Sequence, residues 1–423
     1  MAGERFRKSM EWLKRAEARV PGASQTFSKG ANQFVRGASP LFLDRGRGAR
    51  VWDLDGREYL DTTMALCAVS LGYADPDVDA AVIRQLERGV IFTLPHPLEA
   101  EVAELLSRVI PCAEMVRFGK NGSDATSGAV RLARAFTGRD VIAACGYHGW
   151  QDWYVGTTTR SLGVPKSVRA LTRTFTYNRI ETLEQLFDEH PGQVAAVIME
   201  PVGIEAPRPQ FLESVRQLCT RHGTLLIFDE IVTGFRFAYG GAQEHYGVVP
   251  DLAAYGKVMA GGFPLACVAG PKALMRHFDA ALEGTPEYVW QAGTFNGNAI
   301  ACAAGLATLA ELRKPGTYAK LFGTGTRLRD GLAAAVRKHG VAAQVSGEPP
   351  VFDIFFTDHP IVDYRATLTA DRERIKRFNQ EFLRRGVVKA VNKIYVSLAH
   401  TDRDVDETLE VFDQTLAVIA EST

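Results

Sequence analysis

The chain has 423 residues, of which 46% are hydrophobic and 23% charged, with 49 basic and 49 acidic side chains. This length allows one large domain with a smaller one and ample material for a core. The cancelled charge gives no global pull toward nucleic acid or an anionic membrane, so neither is expected as a partner. No apolar run approaches the roughly 18 to 20 residues needed to cross a bilayer. Six cysteines, Cys67, Cys112, Cys145, Cys219, Cys267 and Cys302, are scattered without a C-x-x-C pair. A disulfide framework and a structural zinc site are therefore not expected, no metal is assigned, and a reducing cytoplasm is the default.

The opening "MAGERFRKSMEWLKRAEARV" is too charged for a signal-peptide core, and Glu4, Glu11 and Glu17 argue against a transit peptide. It reads as an amphipathic helix with Phe6, Met10, Leu13 and Val20 near one face. "LFLDRGRGARVWDLDGREYLD" reads as two or three short strands with turns at Arg45-Gly46 and Asp55-Gly56. From about residue 97, helices such as "EAEVAELLSRVI", "SDATSGAVRLARAFTG" and "FLESVRQLCTRHG" alternate with the short runs "MVRF", "VIAAC", "AAVIME", "TLLIFDE" and "LACVAG". Strands that are apolar throughout, separated by helices, predict a mostly parallel sheet covered on both faces. The last hundred residues mix a helix, "ADRERIKRFNQEFLRRG", with the short strands "VFDIFF" and "KIYVSLA", as a small α+β unit. The expected division is 1–70 for the N-terminal helix and small strands, 71–310 for a large α/β domain and 311–423 for a C-terminal small α+β domain.

In open α/β sheets ligands sit beyond the carboxyl ends of the strands. "TLLIFDEI" places Asp229 and Glu230 directly at such an end. A buried carboxylate there needs a cation or hydrogen-bond donors, which a salt-bridged strand end also provides. In "FGKNGSDATSGAVRLARAFTG" a strand runs through Gly119 and Gly122 into a helix opened by Ser123 and Asp124. Small residues, free N–H groups and the helix dipole suit a phosphate there; a plain N-cap is the alternative. "CGYHGWQDW" crowds Tyr147, His148, Trp150 and Trp153 just past another strand, as a stacking face for a planar ring or as a packed corner. In "AYGKVMAGGFPLACVAG" Lys257 lies among small and apolar residues, where an amine with a lowered pKa attacks a carbonyl and forms a Schiff base. A phosphate cradle, an aromatic platform, a carboxylate and an amine together match pyridoxal 5′-phosphate (PLP). In that reading Asp229 pairs with the pyridinium nitrogen so that the ring is an electron sink, and Lys257 carries the cofactor and shuttles the proton.

The sequence resembles the class III PLP aminotransferases of fold type I, and within them the branch containing glutamate-1-semialdehyde 2,1-aminomutase. The resemblance rests on "GARVWDLDGREYLD", "NGSDATSGAVRLARAFTGRD", "YHG", "MEPV", "FDEIVTGFRFAYGGAQEHYGVVPDLAAYGKVMAGGFP", "GTFNGN" and "SLAHTDRDVDETL", from about residue 20 to 415. It implies a large PLP-binding domain with a mostly parallel central sheet, and a small α+β domain built from the N- and C-terminal segments. It further implies that Gly122 and Ser123 bind the phosphate, Tyr147 stacks on the ring with His148 beside it, and Ile231 packs the other face. Glu200 would lie near the cofactor, and Asp229 and Lys257 act as above. Thr294 would reach the PLP phosphate of the neighbouring subunit in a homodimer.

Departures cluster where the aminomutase holds its substrate. Thr26 and Lys29 stand where the family has a serine and an arginine, Leu66 where it has a tryptophan, and Asn392 where it has a glutamate. After "YHG" the chain has "WQDWYVGTTTRSLGVP" in place of a small-residue gating loop. The expectation is therefore an aminotransferase that takes nitrogen from an amino acid, L-glutamate first, and gives it to an oxo acceptor. An oxo sugar or similar polyhydroxylated carbonyl is the acceptor expected from Trp150, Trp153 and Thr157 to Thr159, and amino-sugar synthesis the setting. The aminomutase itself is the alternative, followed by a PLP-binding protein without turnover. Arg236 and Lys29 are both candidates for holding the donor carboxylate.

Overall fold

Apolar runs that the sequence marks as buried strands build a seven-stranded sheet. The computed structural model describes residues 5–362, 364–389 and 393–421. The chain divides into two units, one running from Pro76 to Pro315 and the other combining the residues up to Asp75 with those from Gly316 onward.

In the larger unit the strands are β1 (Met115–Gly119), β2 (Val141–Cys145), β3 (Thr172–Thr174), β4 (Val194–Met199), β5 (Leu225–Asp229), β6 (Leu252–Tyr255) and β7 (Ala266–Gly270). Their spatial order is β1-β7-β6-β5-β4-β2-β3. Neighbours from β3 to β6 pair in parallel, whereas β7 is antiparallel to both β1 and β6. Side chains alternate across the sheet with the period of two that strand geometry imposes. Ile227 joins a core with α1 (Gly122–Thr137), while Leu226 and Phe228 join a second core with α2 (Phe211–His222). Both faces being covered explains why β2, β4, β6 and β7 are buried along their whole length. The expected α/β architecture with a mostly parallel central sheet is the one found, and α3 (Ala299–Leu312) adds a helix buried over most of its surface.

The other unit holds a four-stranded sheet, Leu43–Arg47, Arg50–Asp53, Glu58–Asp61 and Val387–Val388, and a three-stranded one, Gln344–Glu348, Val351–Phe355 and Ile394–Tyr395. Helices Thr317–Lys338, Arg372–Arg384 and Asp402–Ala420 contribute to a core in which Phe382 stacks on Phe378 and Phe412, at 5.5 and 5.2 Å. The first hairpin turns at Gly48 (φ 57°), two residues later than the expected Arg45-Gly46. Gly46 stays in the strand because the Tyr73 ring lies where its Cβ would be, 2.6 Å from Cγ. The second turn contains Asp55-Gly56, as expected.

After Glu58–Asp61 four successive residues, Met64, Ala65, Leu66 and Cys67, take φ of 48°, 51°, 58° and 67°. A left-handed turn costs about 1–2 kcal/mol per L-residue, so it needs strong anchors. Asp61 supplies them. Its Oδ1 accepts from the Thr63 and Met64 amides at 2.6 and 3.1 Å, and its Oδ2 from the Tyr73 hydroxyl at 2.6 Å. Among the described residues no helix is long and apolar enough to cross a membrane.

Candidate active site

Asp229 closes β5 and is 3% exposed. Its Oδ1 accepts from the Ile231 amide at 3.2 Å, and its Oδ2 lies 2.8 Å from His148 Nδ1. The other ring nitrogen of His148, Nε2, lies 3.1 Å from the Cys145 carbonyl. Both ring nitrogens are thus engaged, which fixes the imidazole's orientation against Asp229.

The segment after β2 is pinned residue by residue. The Gly146 carbonyl accepts from the Tyr154 hydroxyl at 2.8 Å, and the Tyr147 amide donates to Glu200 Oε2 at 2.9 Å. The His148 carbonyl accepts from Thr126 of α1, also at 2.8 Å. Gly149, at φ 108°, faces α1 so closely that a Cβ there would stand 2.3 Å from Ser123 Oγ. Held this way, Tyr147 leaves its ring 65% exposed and edge-on to Tyr154, at 5.7 Å.

At the N-terminus of α1, Asn121 Oδ1 accepts from the Asp124 amide at 3.0 Å. Among the described residues the amides of Gly122 and Ser123 and the Ser123 hydroxyl have no partner. Two unclaimed amides and a hydroxyl at the positive end of a 16-residue helix suit a dianion. Ile231 joins this end to the lysine turn. A Cβ on Gly122 would stand 3.0 Å from Ile231 Cδ1, and one on Gly256 3.1 Å from the same atom. Lys257 follows Gly256, half-buried and at φ 45°, ahead of Val258, Met259 and Ala260, all fully buried. A left-handed conformation in a lysine is a strain that only a well-determined surrounding holds.

The structure therefore gathers Gly122, Ser123, Tyr147, His148, Glu200, Asp229, Ile231 and Lys257 around the carboxyl ends of β1, β2, β4, β5 and β6. Thr294 stands apart on an exposed turn. The chain matches the family model "Aminotransferase class-III" over residues 34–416.

The chain belongs to the class-III aminotransferases.

It is 39% identical over 419 residues to a glutamate-1-semialdehyde 2,1-aminomutase of Roseiflexus castenholzii, covering 93% of this chain and 95% of that one. An omega-transaminase from Sphaerobacter thermophilus has the same fold with a TM-score of 0.89, 32% identity and 98% coverage of both chains. The PLP internal aldimine form of the FumI protein from Sphingopyxis sp. MTA144 matches with a TM-score of 0.88 and 30% identity, over 98% of this chain and 97% of that one. Class-III aminotransferases work with PLP, and the donor set present in this one fits it: a helix end for the phosphate, a carboxylate for a protonated ring nitrogen, and an amine for an aldehyde.

Several other residues sit differently from the sequence expectation. Trp153 is 8% exposed and donates from Nε1 to Ser127 at 3.0 Å, so it packs the core under the segment and offers no face to a substrate. The hydroxyls of Thr157 and Thr158 bond to the Tyr154 and Val155 carbonyls at 2.8 Å, a local closure that spends their donors. Trp150 alone of that aromatic pair is open, 67% exposed. Arg236 is fully buried. Lys29 is exposed in the other unit, where Leu66 sits on the left-handed turn; Asn392 lies outside the described residues.

Glu230, unlike Asp229, turns inward. Its carboxylate accepts from Thr233 Oγ1 at 2.5 Å and from the Ala242 and Gln243 amides at 2.8 and 3.0 Å. Burial pushes its pKa up against these donors. Thr126 went unnoticed in the sequence, its one signal being a hydroxyl one turn after Ser123 on the buried face of α1.

Proposed function

We propose that this class-III aminotransferase works in two half-reactions, taking an amino group from L-glutamate and delivering it to an oxo acceptor. The observation that carries the reading is the meeting of Asp229, Lys257 and the N-terminus of α1 around Ile231. PLP, when bound, supplies the electron sink that stabilises a carbanion next to nitrogen. Gly122 and Ser123 would hold its phosphate by amides and hydroxyl. Asp229, oriented by His148, would pair with the ring nitrogen. Tyr147 and Ile231 would pack against the ring, and Glu200 fixes the backbone that presents Tyr147. Lys257 Nζ would carry the cofactor between turnovers and serve as the general acid and base during them.

The protein acts as a homodimer, with Thr294 reaching the PLP phosphate of the neighbouring subunit. Support comes from the exposure of Thr294 between Trp290 and Phe295, which are 59% and 57% exposed. A second apolar stretch, Ile83, Leu86, Val90, Ile91, Phe92 and Leu94, is exposed by 44 to 76%, and exposed apolar surface of this kind marks interaction sites. A reducing cytoplasm fits six buried cysteines that form no disulfide among the described residues. The oxo sugar acceptor, with amino-sugar synthesis as its setting, keeps Trp150 as its one supporting ring.

The aminomutase is the second reading, favoured by the 39% identity to an aminomutase. Mixing the purified holoenzyme with L-glutamate separates the two. Loss of the visible cofactor band with about one 2-oxoglutarate released per site supports the aminotransferase. An unchanged band, with glutamate-1-semialdehyde isomerised in the absence of any donor, supports the mutase.

A further inference from the structure

Two arginines on the β1–α1 unit converge on one irregular segment. Arg117 of β1 donates from Nη2 to the Gln291 carbonyl at 2.7 Å. Arg131 of α1 donates from Nη1 to the adjacent Trp290 carbonyl at 2.6 Å. Between these anchors the Gln291 amide rests on the bare backbone of α1, where a Cβ on Gly128 would stand 2.9 Å from Oε1. The far end of the segment is fixed as well, because Asn298 Oδ1 accepts from the Ala301 amide at 2.9 Å to cap α3. Residues 291–298 contain no helix or strand; local turns, Asn296 N–H to the Gly293 carbonyl at 3.1 Å and Asn298 Nδ2 to the Phe295 carbonyl at 3.0 Å, shape the segment, and the arginine bonds tie it to the β1–α1 unit.

We propose that Arg117 and Arg131 are positioning residues for cofactor binding, acting through Thr294. This rests on the reading above, in which Thr294 serves the phosphate of the neighbouring subunit. The same helix then has two tasks. Its first turn, at Gly122 and Ser123, serves the phosphate of its own site. About 13 Å further along, at 1.5 Å per residue, Arg131 holds the segment lent to the other. Two hydrogen bonds from charged donors to consecutive carbonyls fix that segment in direction as well as position. A neutral side chain of similar length would leave the carbonyls to water and the turn free to drift.

The test is retention of PLP by the purified holoenzyme, dialysed to equilibrium against decreasing PLP and read by its visible absorption. Arg117→Met with Arg131→Met weakens retention about tenfold, the scale of one hydrogen bond to a charged donor. Arg131→Lys, which keeps a cationic donor, recovers part of the loss. Gly128→Ala, a change that favours a helix, displaces Gln291 from the other side and weakens retention too. In a Thr294→Ala background none of these changes adds a further loss, because their target is already gone. Arginine effects of equal size in both backgrounds, or no effect on retention, overturn the inference while leaving Thr294 its role. Thr294→Ala that retains PLP like the wild type overturns the reading of Thr294 and the inference with it.

Discussion

His148 stands 2.8 Å from Asp229 through Nδ1 and 3.1 Å from the Cys145 carbonyl through Nε2, inside a pocket that leaves the imidazole 1% exposed. The carboxylate at the end of β5 is therefore held by a ring that is itself held, and Trp153 and Tyr154 wall it in at 6.2 and 5.2 Å. His148→Phe removes both ring nitrogens that face Asp229 and Cys145 and keeps a ring in the space. The expected result is a kcat lower by about 10- to 100-fold, the worth of a hydrogen bond to a charged group, with KM little changed. Steady-state kinetics on the holoenzyme checks it, and a change confined to KM would contradict the role given to the pair.

Gly149 is the point where the segment after β2 touches α1. A side chain there meets Ser123 Oγ at 2.3 Å and carries the strain of φ 108°. Gly149→Ala is expected to destabilise the protein by about 1–3 kcal/mol and to weaken PLP retention by pushing Ser123 aside. Thermal unfolding and dialysis against PLP measure the two effects.

Trp150 and Trp153 are expected to behave oppositely despite being three residues apart. Trp153→Ala empties a packed site and loses about 3–5 kcal/mol of stability. Trp150→Ala leaves stability within about 0.5 kcal/mol and raises KM for the acceptor, while the half-reaction with L-glutamate keeps its rate. Parallel unfolding curves and half-reaction kinetics distinguish them.

His400 gives the small unit an acid limit. Its Nδ1 accepts from the Ser397 amide at 3.0 Å, and its Nε2 donates to the Asp61 carbonyl at 3.1 Å, which suits a neutral ring. Burial lowers its pKa, with Asp61 and Asp404 opposing. A histidine lowered in the fold contributes stability that is present above its unfolded value of about 6.5 and is lost as pH falls toward the folded value, at up to about 1.4 kcal/mol per pH unit. Asp61, raised by burial, works the other way, its contribution being lost as pH rises. His400→Asn keeps an acceptor for Ser397 and cannot titrate. Its unfolding midpoint should fall less than that of the wild type between pH 7 and 5; equal slopes would remove His400 from the account.

Much of the site is legible in the sequence because its residues sit at the ends of unmistakable runs. "LLIF" is apolar throughout since both faces of β5 are covered, so Asp229 stands out as the first polar residue. The same holds for Gly146 to His148 after β2, which is buried at every position. What the sequence does not give is who meets whom across the fold. Trp150 and Trp153 are indistinguishable by type, and only the bond from Trp153 to Ser127 on another element makes one structural. Edge strand β3, of three residues with two exposed, has no apolar run to announce it. The sequence does not distinguish Gly46 from Gly48 as the turn residue, because they look alike until Tyr73 packs on the first.

The central claim is that Lys257 is the amine that carries the cofactor. The most direct measurement is borohydride reduction of the purified holoenzyme, followed by proteolysis and mass spectrometry of the lysine-containing peptides. The account predicts a pyridoxyl phosphate group on Lys257 and on no other lysine, and none anywhere in Lys257→Ala. A label on a different lysine, or a Lys257→Ala protein that keeps both the label and turnover, would contradict it.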